Sequence, residues 1–136
     1  MNTVPKIKNL TVHEVDLGKY ILKSANFTAI QISEGLILPF LANIEALSNF
    51  PFVKIDMGAV KFVCNGARVM RPGITHFSPF KKRDIVAVKD EVHQKMLAVG
   101  IALEDSDTAS ELSSGYVIDN LHYVGDKFWE AYKHIQ

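Results

Sequence analysis

The sequence predicts a mainly β fold with short helices, an α+β arrangement in which a small antiparallel sheet precedes a larger strand-rich unit. Three observations carry that expectation. Short segments that alternate or are rich in β-branched residues recur along most of the chain, each bounded by turn residues. Only three stretches read as helices, and all are brief. The 136 residues, 48% of them apolar, suffice for one compact domain, or for a small domain with an N-terminal extension.

In chain order, "LTVHEV", "KYILKS", "FTAIQIS" and "GLILPF" read as strands separated by "DLG", "AN" and "SEG", hence as an antiparallel meander. "FLANIEALSNF" then places Leu41, Ile44 and Leu47 at helical spacing before Pro51 interrupts. A boundary is expected near Asn49, with residues 1–49 forming the first unit and 50–136 the second. The second unit opens on a strand, "FVKID", continues through a short helix, "MGAVKFVCN", and runs on as "ITHFS", "DIVAVK" and "KMLAVGIAL". A short helix, "DSDTASELSS", and a final strand, "YVIDNLHYV", complete it, and no internal repeat is present.

The helix "MGAVKFVCN" can be read by angle, at about 100° per residue. Met57, Ala59, Val60, Val63 and Cys64 share one apolar sector, which makes Cys64 a small core residue; Gly58, Lys61, Phe62 and Asn65 lie opposite. Phe62 is nevertheless expected to pack, partly buried, more than to stack on a ligand. Asp56 is the expected N-cap, because its carboxylate can accept from the free N–H groups of the first turn. Gly66 stands where a left-handed residue ends a helix, and its lack of a side chain also permits close approach. "RPGI" places Pro72 and Gly73 at the centre of an expected type II turn.

Net charge is zero, but it is unevenly distributed. Between Lys54 and Arg83 seven basic residues face one acid, Asp56, whereas between Asp84 and Asp126 nine acids face only Lys89 and Lys95. Such a split suggests one face that attracts an anion. Cys64 is the only cysteine, which excludes an intramolecular disulfide framework and fits a reducing compartment, so a cytoplasmic protein is expected. The start "MNTVPKIKNL" has no apolar export segment, and no apolar run approaches the roughly 20 residues of a membrane helix. There is no phosphate loop, dinucleotide glycine pattern, HExxH or CxxC pair, and the histidines at 13, 76, 93, 122 and 134 lack ligand spacing. No catalysis, cofactor or metal is expected.

"VKIDMGAVKFVCNGARVMRPGI", the later "AVGIA" and "SSGYVIDNLHYVGDKFW" resemble a PUA domain, the RNA-binding fold named after pseudouridine synthase and archaeosine transglycosylase. Within that fold the chain is similar to the translation-machinery-associated, or malignant T-cell-amplified sequence, family in its archaeal stand-alone form. The resemblance runs from about Phe52 to Trp129. It implies a C-terminal pseudobarrel of about six strands that contacts duplex or 3′-end RNA through its first helix, the loop after it and the last strand. Carried onto this sequence, the contact residues are Lys61, Asn65, Gly66, Ala67, Arg68, Arg71 and, on the last strand, His122. Read as a residue alone, His122 is a satisfied barrel histidine. Lys81, Lys82 and Arg83 are either peripheral contacts or an ordinary solvated loop. Relatives of this type carry a longer N-terminal domain with leading helices, so a shortened one is expected here.

The resulting expectation is a noncatalytic RNA-binding protein of the translation apparatus. It would engage tRNA or rRNA and the small ribosomal subunit in initiation or recycling, with an initiation-factor-like protein as a further partner and no membrane. The alternatives are a protein-interaction adaptor whose barrel lacks RNA affinity and an RNA-targeting subunit of a modification enzyme.

Overall fold

The computed structural model describes residues 10–135; residues 1–9 of the expected first unit, and with them the start read above for export signals, lie outside the described residues. In chain order the strands and helices are β1 (Thr11–Asp16), β2 (Lys19–Lys23), β3 (Thr28–Ser33), β4 (Leu36–Pro39), α1 (Ile44–Leu47), β5 (Phe52–Ile55), α2 (Met57–Val63), β6 (Val69–Met70), β7 (Ile74–Phe77), β8 (Ile85–Asp90), β9 (Met96–Ala102), α3 (Ser106–Glu111), β10 (Tyr116–Tyr123) and α4 (Lys127–Tyr132). Strands β1 to β4 form the meander in sequence order, all antiparallel. The other six form a second sheet in the order β6-β10-β9-β8-β5-β7, antiparallel except between β5 and β8. Its two edge strands, β6 and β7, are joined by the three-residue turn Arg71–Gly73, which curls the sheet into a nearly closed pseudobarrel.

Alternation along the strands builds two cores. Val53, Ile55, Val86, Val88, Val117 and Ile118 fill the barrel interior, where Ala59, Val60, Val63 and Cys64 of α2 and its end pack against them. Ala87 and Val99, on the outer side of the same strands, meet Ile21, Ile30 and Leu38 of the first sheet, together with Phe40, Leu41 and Phe128. Because β8 is covered on both sides, "IVAVKD" reads as a nearly continuous apolar run.

Four local expectations are corrected. The helix read across "FLANIEALSNF" is a single turn, α1: Leu41 is buried ahead of it, and Ile44 is 62% exposed. Asn43 gives its first turn no side-chain cap, so little holds a longer helix together. Arg71–Gly73 is a 3₁₀ turn, not type II, and Gly73 does not have positive φ. Its lack of a side chain serves packing, because a Cβ there would lie 3.1 Å from that of Ala59. Met57 and Phe62 are both exposed, contrary to the burial expected of them. Helix α4 was not read from the sequence. Asp126 caps it by accepting from the Trp129 N–H at 2.8 Å, and Lys127 ties it to β1 through Asp16 at 2.6 Å.

Candidate nucleic-acid interface

The surface begins at the capped ends of α2. The Asp56 carboxylate accepts from the Ala59 N–H at 2.9 Å, as an N-cap should. At the other end, the Gly66 N–H donates to the Val63 carbonyl and the Ala67 N–H to the Phe62 carbonyl, both at 3.0 Å. These are the paired bonds of a Schellman turn, and Gly66 supplies the left-handed residue at φ +94°. Glycine is required there twice over, since a Cβ would also lie 3.2 Å from the Tyr123 ring. Both N–H groups are therefore occupied within the chain, and what Gly66 and Ala67 offer a ligand is access to a fixed backbone.

Asn120 of β10 anchors this loop from below. Its Nδ2 donates to the carbonyls of Val63 and Ala67, each at 2.9 Å, while its Oδ1 is buried without a partner among the described residues. Two facing carbonyls dictate that orientation, because the flipped amide would set oxygen against oxygen. One side chain thus ties β10 to the end of α2.

Around this frame the exposed side chains combine charge with apolar area. Lys61 and Asn65 are exposed on the outer side of α2, and the Lys61 ammonium lies 5.2 Å from the centroid of the Phe62 ring. Arg68 projects beside β10, 5.3 Å from the Tyr116 ring centroid, and its Nε is 3.4 Å from Asp119 Oδ1. Both partners of that pair are solvated, so it is worth at most about 1 kcal/mol and is easily exchanged for a phosphate. Between α2 and Arg68–Gly73 runs an apolar groove of about 420 Å³, lined by Gly58, Ala59, Phe62, Ala67, Met70 and Pro72 among others. Phe62 is 57% exposed and Met70 49%. The sequence reading missed Met70, Tyr116, Asp119 and Asn120 as parts of this surface; the outward positions of β10 were the available signal.

Lys61, Asn65, Gly66, Ala67 and Arg68 are thus brought together, but two expected contact residues are not. Arg71 turns inward: Nη1 donates to the Ile74 carbonyl at 3.0 Å, Nη2 to the Ser110 carbonyl at 3.3 Å, and the guanidinium lies 5.0 Å from the Phe77 ring centroid. It fastens the turn that closes the barrel. His122 is fully buried, accepting from the Leu41 N–H at Nε2, 3.1 Å away, with Nδ1 2.7 Å from Asp126 Oδ2. The Leu41 bond requires the neutral tautomer that carries its proton on Nδ1. Phe40 and Phe128 flank the ring, so His122 joins the first sheet to the barrel and is shut off from solvent. The register shift between Asn120 and His122 sets it opposite Val99, on the face that meets the first sheet, so it is a satisfied histidine, as the residue-level reading held, but lies outside the barrel interior. The Lys81–Arg83 segment belongs to a separate turn, held by the Asp84 and Asp105 carboxylates on the N–H groups of Lys81 and Lys82.

Burial is the chief influence on Cys64, raising its thiol pKa above the ordinary value despite Lys95 nearby, so it stays protonated and unreactive at neutral pH. Among the described residues no three His, Cys, Asp or Glu side chains converge as a metal site, and no helix is long and apolar enough to cross a membrane.

A pseudobarrel closed by a short turn, with a polar helix face and an open loop beside the last strand, defines a PUA-type module. The PUA domain model matches residues 51–124, and the chain belongs to that family. It is 38% identical over 127 residues to an uncharacterised protein of Methanocaldococcus jannaschii, covering 93% of this chain and 78% of the relative. It is 33% identical over 99 residues to malignant T-cell-amplified sequence 1-A of Xenopus laevis, covering 67% of this chain; the chain spans only 55% of that relative's length. Among solved structures, a hypothetical protein of Pyrococcus horikoshii superposes with a TM-score of 0.79 at 31% identity, covering 90% of this chain and 78% of the other. An H/ACA ribonucleoprotein bound to a substrate RNA contains a chain that superposes with a TM-score of 0.58 at 28% identity, covering 68% of this chain and 28% of that one.

Proposed function

We propose that this protein is a noncatalytic RNA-binding component of the translation apparatus, engaging small-subunit rRNA or tRNA during initiation or recycling. Its contact surface is Lys61, Asn65, Gly66, Ala67 and Arg68. The observation that carries this reading is the locked loop at the end of α2. A Schellman turn and Asn120 fix a side-chain-poor backbone segment beside an open apolar groove, and Lys61 and Arg68 supply positive charge next to it. The wide, shallow minor groove of an RNA duplex suits such a flat surface, and its phosphates suit the cations. The apolar groove admits an unstacked base, with Phe62 as a stacking face. A relative in Saccharomyces cerevisiae, translation machinery-associated protein 20, 31% identical over 87 residues, supports translation as the setting, and the similar chain of the RNA-bound H/ACA ribonucleoprotein supports RNA. In this reading residues 1–49 form a unit that orients the module or receives an initiation-factor-like protein, and the protein works in the cytoplasm.

The exposed Phe62, Met70 and Tyr116 side chains also suit a protein partner, which keeps the adaptor as a second reading. Crosslinking in cell extract, followed by sequencing of the attached RNA, separates the two. Wild-type protein is expected to recover tRNA or small-subunit rRNA. Lys61→Ala with Arg68→Ala is expected to lose most of it, and to lower the logarithmic salt slope of binding by about 1.4 to 1.8, or about 0.7 to 0.9 per contact. Failure to recover RNA, or an unchanged slope, would favour the adaptor.

A further inference from the structure

The second sheet carries a row of two lysines and a histidine on the face turned away from its core. Lys54 of β5 is directly opposite His76 of β7 on one side and Lys89 of β8 on the other. Val53 and Ile55, the neighbours of Lys54 in β5, point into the barrel, as do Phe77 beside His76 and Val88 beside Lys89. Lys54, His76 and Lys89 therefore share the outer face, opposite to the one that α2 covers at β5. Two steps between strands give a row roughly 10 Å long. Like charges directly opposite each other disfavour a sheet, and among the described residues none of the three has an acidic partner within ion-pair distance. The adjacent acid, Asp90, forms no ion pair with the row: it stands opposite the inward-facing Ile55, on the other face of the sheet, and its oxygens accept from the backbone N–H groups of Val92, His93 and Lys95. Phe52 holds the row in place: the Lys89 ammonium is 4.2 Å and the Lys54 ammonium 5.9 Å from its ring centroid, and the His76 imidazole stacks on it at 5.8 Å.

We infer that Lys54, His76 and Lys89 form a second anion-binding site, separate from the α2 surface, that takes the phosphodiester backbone of an RNA strand. A row roughly 10 Å long exceeds a single phosphate and suits successive ones. Cations set beside an aromatic face are also the combination that tracks nucleic-acid strands without reading their sequence. A protein with contacts on two faces of one sheet can hold two segments of a folded RNA together.

The test uses unfractionated tRNA as probe, with affinity measured over a salt series, for the full chain, for Lys54→Gln with Lys89→Gln, for Lys61→Ala with Arg68→Ala, and for all four changes together. The lysine-to-glutamine pair is expected to lower the logarithmic slope by about 1.4 to 1.8, roughly 25- to 60-fold in affinity at 0.1 M salt if the lines converge near 1 M. The same decrement is expected in the Lys61/Arg68 background, so failure of the α2 surface and failure of this site are read separately. Lys89→Glu, which gives Lys54 an opposite charge across the strands, is expected to raise Tm while weakening RNA binding. An unchanged slope in both Lys54/Lys89 variants would overturn the inference, as would equal competition by polyglutamate, which would indicate an acidic protein partner.

Discussion

Asn120→Ala tests the join between the fold and the interface. The wild-type amide makes two hydrogen bonds, to the carbonyls of Val63 and Ala67, each worth about 1 kcal/mol net. Removing the side chain also removes the unpartnered Oδ1, which offsets part of that loss. The Val63 carbonyl keeps the Gly66 N–H, and Ala67 is exposed enough for water to reach its carbonyl. The balance is a loss of about 1 to 1.5 kcal/mol, or roughly 4 to 6 °C in Tm for a chain of this size. Asn120→Asp keeps the shape but has no donor, and it sets a carboxylate against two carbonyl oxygens, so its loss should be larger, about 2 to 3 kcal/mol. Urea unfolding of the three proteins, with RNA affinity measured by fluorescence anisotropy, supplies both readouts. Affinity should fall with the order of the loop. An Asn120→Ala protein within 0.5 kcal/mol of wild type, or an Asn120→Asp protein as stable as wild type, would refute the reasoning.

Two further predictions concern groups remote from the interface. His122→Ala leaves the buried Leu41 N–H unpartnered and empties a space between Phe40 and Phe128, and should cost about 3 kcal/mol in urea unfolding. RNA affinity of the protein that remains folded should be unchanged; a tenfold loss without loss of stability would put His122 at the RNA surface after all. Burial opposes the charge on Asp90, but backbone N–H donors from His93, Lys95 and Val92 outweigh it and hold the carboxyl below its usual range. Its contribution should be complete above the unfolded-state value of about 3.9 and disappear as pH falls through the lower native value. Asp90→Asn should accordingly be less stable than wild type by about 2 kcal/mol at pH 7, with the gap closing toward pH 2 in matched unfolding curves; a gap that is constant with pH would contradict this.

Strands were legible wherever one physical rule dominated. The alternation of "TVHEVD" and the turn residues between the first segments place the meander within a residue or two. Asp56 and Gly66 were readable because helix ends depend on local chemistry. Where long-range packing decides, the sequence was silent or misleading. Pro72-Gly73 carries a type II signal, yet the chain takes a 3₁₀ turn there, and the glycine serves the close approach of Ala59 instead of a positive φ. Arg71 looks like a free cation until the carbonyls of Ile74 and Ser110 take its guanidinium. Asn120 lies 57 positions from the Val63 carbonyl it caps, a distance that periodicity cannot bridge. Helix α4 is a different case, since Asp126 is as local a signal as Asp56 and was legible in "GDKFWEAY".

The central claim is that RNA meets the loop that ends α2. Backbone amide NMR of the isotope-labelled protein, titrated with tRNA, locates that contact directly. The account predicts the largest shifts at Lys61, Asn65, Gly66, Ala67 and Arg68, with the buried amides around His122 unmoved. Shifts confined to the first sheet, with none between residues 61 and 68, would contradict it.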